Sequence, residues 1–222
     1  MNLQALPEEA LKEILALTEA KKRLDLQEEA YDHFMPFAHH VYENFIEGAH
    51  HRVIAEKLEA VARGECKRLI INMPPRHSKS EFASYLMPAW FLGRNPKLKI
   101  IQATHNTELA VRFGRKVRDL IDDPAYKEIF PETNLKEDNK GAGKWGTDKG
   151  AEYFAAGVGA AITGRGADLL VIDDPHSEQD ALSDTAFDHA YEWYTSGPRQ
   201  RLQPGGSIII VMTRWGKKDL TG

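Results

Sequence analysis

Met73-Pro74-Pro75-Arg76-His77-Ser78-Lys79-Ser80 decides how this chain of 222 residues is read. It follows the short apolar run Arg68-Leu69-Ile70-Ile71-Asn72 and leads into a helical segment that reaches about Leu92. Strand, polar loop and helix in that order form the setting in which G-x-x-x-x-G-K-[ST] holds phosphate. Met73 and Ser78 stand at the two glycine positions, so a strict pattern would miss the loop. The chemistry still fits place by place. Backbone N–H groups of the loop and the helix N-terminus wrap phosphate oxygens. Lys79 neutralises β- and γ-phosphate charge, and Ser80 Oγ binds Mg²⁺ together with a carboxylate from another strand. Arg76 adds a second cation. Ser78 at a glycine position costs little if its φ is negative.

The carboxylate comes from Leu169-Leu170-Val171-Ile172-Asp173-Asp174, four aliphatics followed by two acids. The carboxyl end of a parallel strand is where ligands bind in open α/β sheets. Asp173 is the candidate metal residue. Asp174 occupies the place of the residue that activates the attacking water, with Glu178 as the alternative. A further apolar strand, Ile208 to Met212, runs into Thr213, a candidate sensor of the γ-phosphate.

The pattern around these motifs predicts an α/β fold, a mainly parallel sheet flanked by helices of the P-loop NTPase (ASCE) type, with an N-terminal helical appendage. Residues 1–50 read as the helical segment and 51–222 as the ATPase domain. Within the first part, one helix runs from Pro7 to Lys22 and an aromatic-rich one follows. A third covers about His51 to Arg63 and stops at Gly64. Strands are expected at 98–103, 169–172 and 208–212, with strand-turn-strand over 151–162. Helices are expected over 107–122 and 178–196. Residues 131–150, rich in Gly, Lys and Asp, read as an exposed loop. Apolar strands without alternation imply a sheet covered on both faces.

A net charge of −4 leaves any nucleic-acid contact to local basic patches. Arg112, Arg115 and Lys116 form one candidate patch, and Lys136, Lys140, Lys144 and Lys149 another. The single cysteine, Cys66, argues against disulfides and a zinc site. No apolar run approaches the roughly 18 residues of a membrane span, and no signal-peptide pattern is present.

The stretch Ile71 to Glu81, with its two prolines, arginine and histidine before Ser78-Lys79-Ser80, resembles the phosphate loop of the large terminase subunit of tailed bacteriophages. That family's motor packages double-stranded DNA into procapsids. Four more stretches agree in order and spacing: Pro88-Ala89-Trp90-Phe91-Leu92-Gly93-Arg94, Ala155-Ala156-Gly157-Val158-Gly159, Thr163-Gly164-Arg165-Gly166-Ala167-Asp168, and Met212-Thr213-Arg214-Trp215 with Asp219-Leu220. The likeness spans roughly residues 50 to 222.

The resemblance implies ATP as substrate and Mg²⁺ as cofactor, held by Pro74, Pro75, Arg76, His77, Ser78, Lys79 and Ser80, with Ser80 and Asp173 on the metal. It implies catalytic roles for Asp174 (or Glu178) and Arg76, and a coupling role for Thr213. Arg165 is the candidate finger inserted into a neighbouring subunit's site. His51 is a candidate adenine contact. Double-stranded DNA, a portal protein, a small terminase subunit and a homo-oligomeric ring are the implied partners, and the host cytoplasm the implied location. Members of the family also carry a C-terminal ribonuclease-H-like nuclease. No second acidic constellation is read here, so nuclease activity is not expected of this chain. Two other readings stay open: another DNA-dependent P-loop ATPase such as a helicase or translocase, and a non-hydrolysing nucleotide switch.

Overall fold

The computed structural model describes residues 7–162 and 164–222. Residues 1–6, Thr163 of the resemblance stretch, and the side chain of Lys140 from the second basic patch lie outside the described residues. Among the described residues, seven strands form one sheet: β1 (Arg68–Asn72), β2 (Lys99–Thr104), β3 (Leu135–Gly141), β4 (Lys144–Thr147), β5 (Glu152–Gly157), β6 (Ala167–Asp173) and β7 (Leu202–Met212). Their spatial order is β1-β7-β6-β2-β5-β4-β3. The first five in that order are parallel, and β4 and β3 complete the edge antiparallel. The chain is thus α/β with a mostly parallel sheet, and β7 separates the phosphate-loop strand from the acidic strand.

Register places the functional ends in one row. Asn72 pairs with Met212, Asp173 with Val211, and Thr104 with Asp173. The chain therefore leaves β1, β7, β6 and β2 at the same edge, into Met73, Thr213, Asp174 and His105. Successive side chains point to opposite faces. Leu169, Val171, Ile209 and Val211 enter the larger core cluster, while Leu170, Ile172, Ile208 and Ile210 enter the smaller. Both faces being dry explains why these strands show no polar alternation.

The larger cluster is roofed by α2 (Phe34–Val41), α3 (Ala49–Ala62), α4 (Met87–Arg94), α5 (Thr107–Ile121) and α6 (Pro124–Ile129). The smaller cluster lies under α7 (Asp184–Ser196), whose Trp193 donates its Nε1–H to Ala160 O at 3.1 Å. Phe34 and Phe37 pack with Phe82 and Trp90 in one aromatic group, so α2 belongs to the same core as the sheet. What stands clear of that core is α1 (Glu8–Asp32), in which only Ala30 is buried.

Several element boundaries differ from the sequence expectation, each for a physical reason. The first helix does not stop at Lys22 but continues to Asp32, because no glycine or proline interrupts it. Residues 131–150 are not an exposed loop. They contain the β3–β4 hairpin, anchored by Trp145, which is fully buried, stacks on Tyr153 at 4.7 Å and donates to Gly114 O at 2.9 Å. One anchoring aromatic outweighed the polar composition around it. The segment 151–162 holds the single strand β5 and then a turn. In the segment 178–196, a short 3₁₀ turn at Asp180–Leu182 precedes α7, which starts late because Ser183 caps it, accepting from Ala186 N–H.

Gly114 lets α5 approach the hairpin closely. A Cβ there would lie 2.5 Å from the Ala142 carbonyl oxygen and 2.9 Å from the Tyr153 ring. A backbone carbonyl cannot swing away as a flexible side chain can. Gly114→Ala is therefore expected to lower unfolding stability by about 1–3 kcal/mol, read as a reduced denaturant midpoint with an unchanged slope.

Candidate active site

The phosphate-type loop is built from residues held in unusual backbone geometry. Arg76 has φ 63° and Ser78 φ 59°, both left-handed. The condition under which serine would cost little here, a negative φ, is therefore not met. The left-handed conformation that a glycine would supply is kept, and a serine bears it, at a cost of about 1–2 kcal/mol. The loop is braced locally: a His77 Nδ1 contact to Pro75 O measures 2.8 Å, and Ser78 O accepts Phe82 N–H at 3.0 Å. The helix then begins with six residues, Glu81–Leu86, wound as a π-turn before α4 continues it. Such single-turn insertions are frequent at functional sites.

Lys79 is 6% exposed, and its Nζ meets Asp174 Oδ2 at 3.1 Å. The other Asp174 oxygen, Oδ1, accepts Thr213 N–H at 3.0 Å. Asp174 itself sits at φ 40°, pinned by N–H donation to Val211 O at 2.8 Å and by acceptance from His105 N–H at 3.2 Å. Thr213 Oγ1 also donates to Met73 O at 3.2 Å. One carboxylate thus ties the phosphate-type loop to the tip of β7.

Asp173 is 2% exposed. Ser80 Oγ donates to its Oδ1 at 2.9 Å and Ser84 Oγ to its Oδ2 at 2.7 Å. Burial pushes the carboxyl up to about 7; the Ser84 bond opposes this, the Asp174 charge adds to it, and the Ser80 bond and Lys79 pull it down. Ser84 was not singled out from sequence. Its signal is its place four residues after Ser80 on the following helical segment, which brings both hydroxyls to one side.

These residues fit Mg²⁺. Ser80 and Asp173 offer hard oxygen donors side by side, and the buried Asp173 carboxylate lacks a full counter-charge. Among the described residues no group of three or more His, Cys, Asp or Glu converges on a point. That suits a cation which takes one or two protein oxygens and completes its shell with water and phosphate.

The remaining candidates fall in different places. Pro74, Pro75, Arg76 and His77 are exposed along the loop. Glu178 is exposed and lines, with Asp174, His105, Asn106 and Trp215, a cleft of about 560 Å³ beside the acidic strand end. Arg165 is not brought to this loop. It precedes β6 at the opposite end from Asp173, its guanidinium 4.0 Å from the Phe154 ring centre. His51 is 4% exposed, accepts Gly48 N–H on Nδ1 at 2.9 Å, and stacks on Phe82. Its visible role is to start α3 and fill the core. In the basic patches, Lys116 pairs with Glu81 at 2.8 Å and Lys149 with Glu132 at 3.1 Å.

Together, the sheet order and this constellation define an α/β fold whose mostly parallel sheet gathers a lysine, a serine and two aspartates at one edge. No protein-family profile and no curated protein matches the chain. Among solved structures it is similar to the crystal structure of the HK97 bacteriophage large terminase, at 14% identity and a TM-score of 0.44, covering 76% of this chain and 33% of that one. The chain thus spans about a third of the length of that protein.

The raised Asp173 pKa has a consequence for stability. The unfolded carboxyl titrates near 3.8 and the folded one near 7. Between these values the folded chain holds a proton that the unfolded chain has released, so stability falls as pH rises through that window. Asp173→Asn removes this penalty. Without added nucleotide or magnesium, the variant is expected to be more stable than wild type by on the order of 2–4 kcal/mol above about pH 7.5. The difference should shrink towards about pH 4, and thermal unfolding of both proteins across that range checks it.

Proposed function

We propose that this chain is the ATPase motor domain of a large terminase subunit, hydrolysing ATP to drive double-stranded DNA into a procapsid. The observation that carries the ATPase reading is the convergence of Lys79, Ser80, Asp173 and Asp174 at one edge of a parallel sheet. The terminase reading rests on the sequence stretches that surround those residues.

In this reading the loop N–H groups and Lys79 hold the β- and γ-phosphates, while Arg76 reaches the transferring group from the exposed side. Ser80 and Asp173 hold Mg²⁺, which supplies charge neutralisation on the phosphate oxygens. When Lys79 moves to phosphate, Asp174 Oδ2 loses its partner, while Oδ1 stays fixed by Thr213 N–H. The released oxygen accepts a proton from a water in the cleft shared with Glu178. That water's oxygen bonds to the γ-phosphorus as the bond to the bridging oxygen breaks, giving ADP and phosphate. Thr213, bonded to both Asp174 and Met73 O, carries the change at the site to the tip of β7. Arg165, at the far end of β6, serves the site of a neighbouring subunit when the ring is assembled.

Steady-state phosphate release with magnesium and DNA tests the first part. Lys79→Ala should fall at least about 100-fold below wild type. Equal near-zero turnover in both proteins would sink the enzyme reading and favour a nucleotide switch. The second part is tested by mixing Arg165→Ala with Lys79→Ala subunits. The former keep an intact phosphate site and the latter an intact arginine, so activity should partly return; assembled rings without any recovery would rule out action across subunits.

A further inference from the structure

Helix α1 is the longest element of the fold and the least covered. At about 1.5 Å per residue its 25 residues extend roughly 37 Å. Its last turns pack on α2 and α6, where Trp90 Nε1–H reaches Ala30 O at 3.1 Å and Tyr31 meets Phe130. The rest carries large apolar side chains in the open: Ile14 is 39% exposed, Leu15 61%, Leu17 64% and Leu24 64%. Leu15 and Leu26, the latter 50% exposed, lie off the common face and need no explanation, but Ile14, Leu17 and Leu24 share it. Ala10, Ile14, Leu17, Lys21 and Leu24 follow one another at alternating steps of four and three, the spacing of a helix–helix seam.

We infer that this seam pairs with α1 of a second copy of the chain, in antiparallel orientation. The choice of occupant rests on charge. Residues 8–13 carry Glu8, Glu9 and Glu13 against Lys12 alone, whereas residues 18–23 carry Lys21, Lys22 and Arg23 against Glu19 alone. The helix is therefore complementary to itself when reversed and self-repelling when aligned in parallel. A two-fold axis beside Leu15 and Ala16 sets Ile14 opposite Leu17 in both directions. It also sets Ala10 opposite Lys21, where the small residue leaves room for the lysine stem to run out to solvent, and Glu9 opposite Lys22. Each contact occurs twice, as an isologous interface requires. The pairing needs no nucleotide and is independent of the ATPase reading.

Sedimentation equilibrium of the whole chain tests the inference. Wild type should move from the mass of one chain towards twice that mass as its concentration rises to about 100 µM. Leu17→Asp with Leu24→Asp should remain at single mass while keeping the wild-type circular dichroism and thermal midpoint, because both positions lie outside the core. In a Cys66→Ser background, Ala10→Cys mixed with Lys21→Cys should form a disulfide-linked pair at least several-fold faster than Ala10→Cys with itself. Wild type that stays at single mass throughout overturns the proposal, as does association unchanged in the double variant. Faster cross-linking of like positions overturns the antiparallel orientation.

Discussion

A carboxylate that water hardly reaches governs this molecule. Asp173 ends β6 at 2% exposure, and its oxygens are held by two serine hydroxyls from one helical segment. Burying an ionised carboxyl without a full counter-charge is unfavourable, and the raised proton affinity records that cost. The site accepts it because the sheet leaves no choice. β6 lies between β7 and β2, both faces of the sheet are dry, and the strand must emerge where β1 delivers the loop. Ser80 and Ser84, four residues apart at the start of the helix that leaves that loop, both face Asp173, and the π-turn at Glu81–Leu86 lies in that same stretch.

The parts legible in the sequence were those where chemistry and position coincide. Lys79-Ser80 after an apolar strand, and Asp173-Asp174 at the end of another, predicted the edge at which they meet. The strand between them, β7, was visible as Ile208 to Met212 because a doubly covered strand has nothing but aliphatics to show. What composition hid was set by single contacts. Trp145 converts a polar stretch into a hairpin by stacking on Tyr153 in the next strand and bonding to the Gly114 carbonyl, which is 31 residues away in sequence. For His51, read as a candidate adenine contact, the sequence did not show that its ring faces Phe82 and its Nδ1 serves the start of its own helix. Ser84 was overlooked although its spacing of four from Ser80 puts both on one helix side, because the sequence motif stops at Ser80.

The missing glycines of the loop carry a related lesson. Sequence pattern equates glycine with the left-handed backbone, yet Ser78 and Arg76 adopt that conformation regardless. Conformation, rather than residue identity, is what a phosphate-type loop must keep, since it aims the N–H groups. Loop strain of this kind is tolerated where the surroundings over-determine it. Here β1 feeds the loop, the helix takes it up, and Thr213 Oγ1 bonds to the carbonyl of its first residue.

The ion pair between Lys79 and Asp174 acts as a tethered internal competitor. An anion arriving from solution must displace a carboxylate whose effective concentration is fixed by the fold rather than by its surroundings. A weak, singly charged anion meets that competition with one charge and no support from the loop N–H groups beyond their nearest few. A chain of linked phosphates meets it with several charges at once, spread along the whole loop. On the proposed reading, the acid would grade visitors by how many contacts they can make together, and a chain of linked phosphates would displace it more readily than a single small anion.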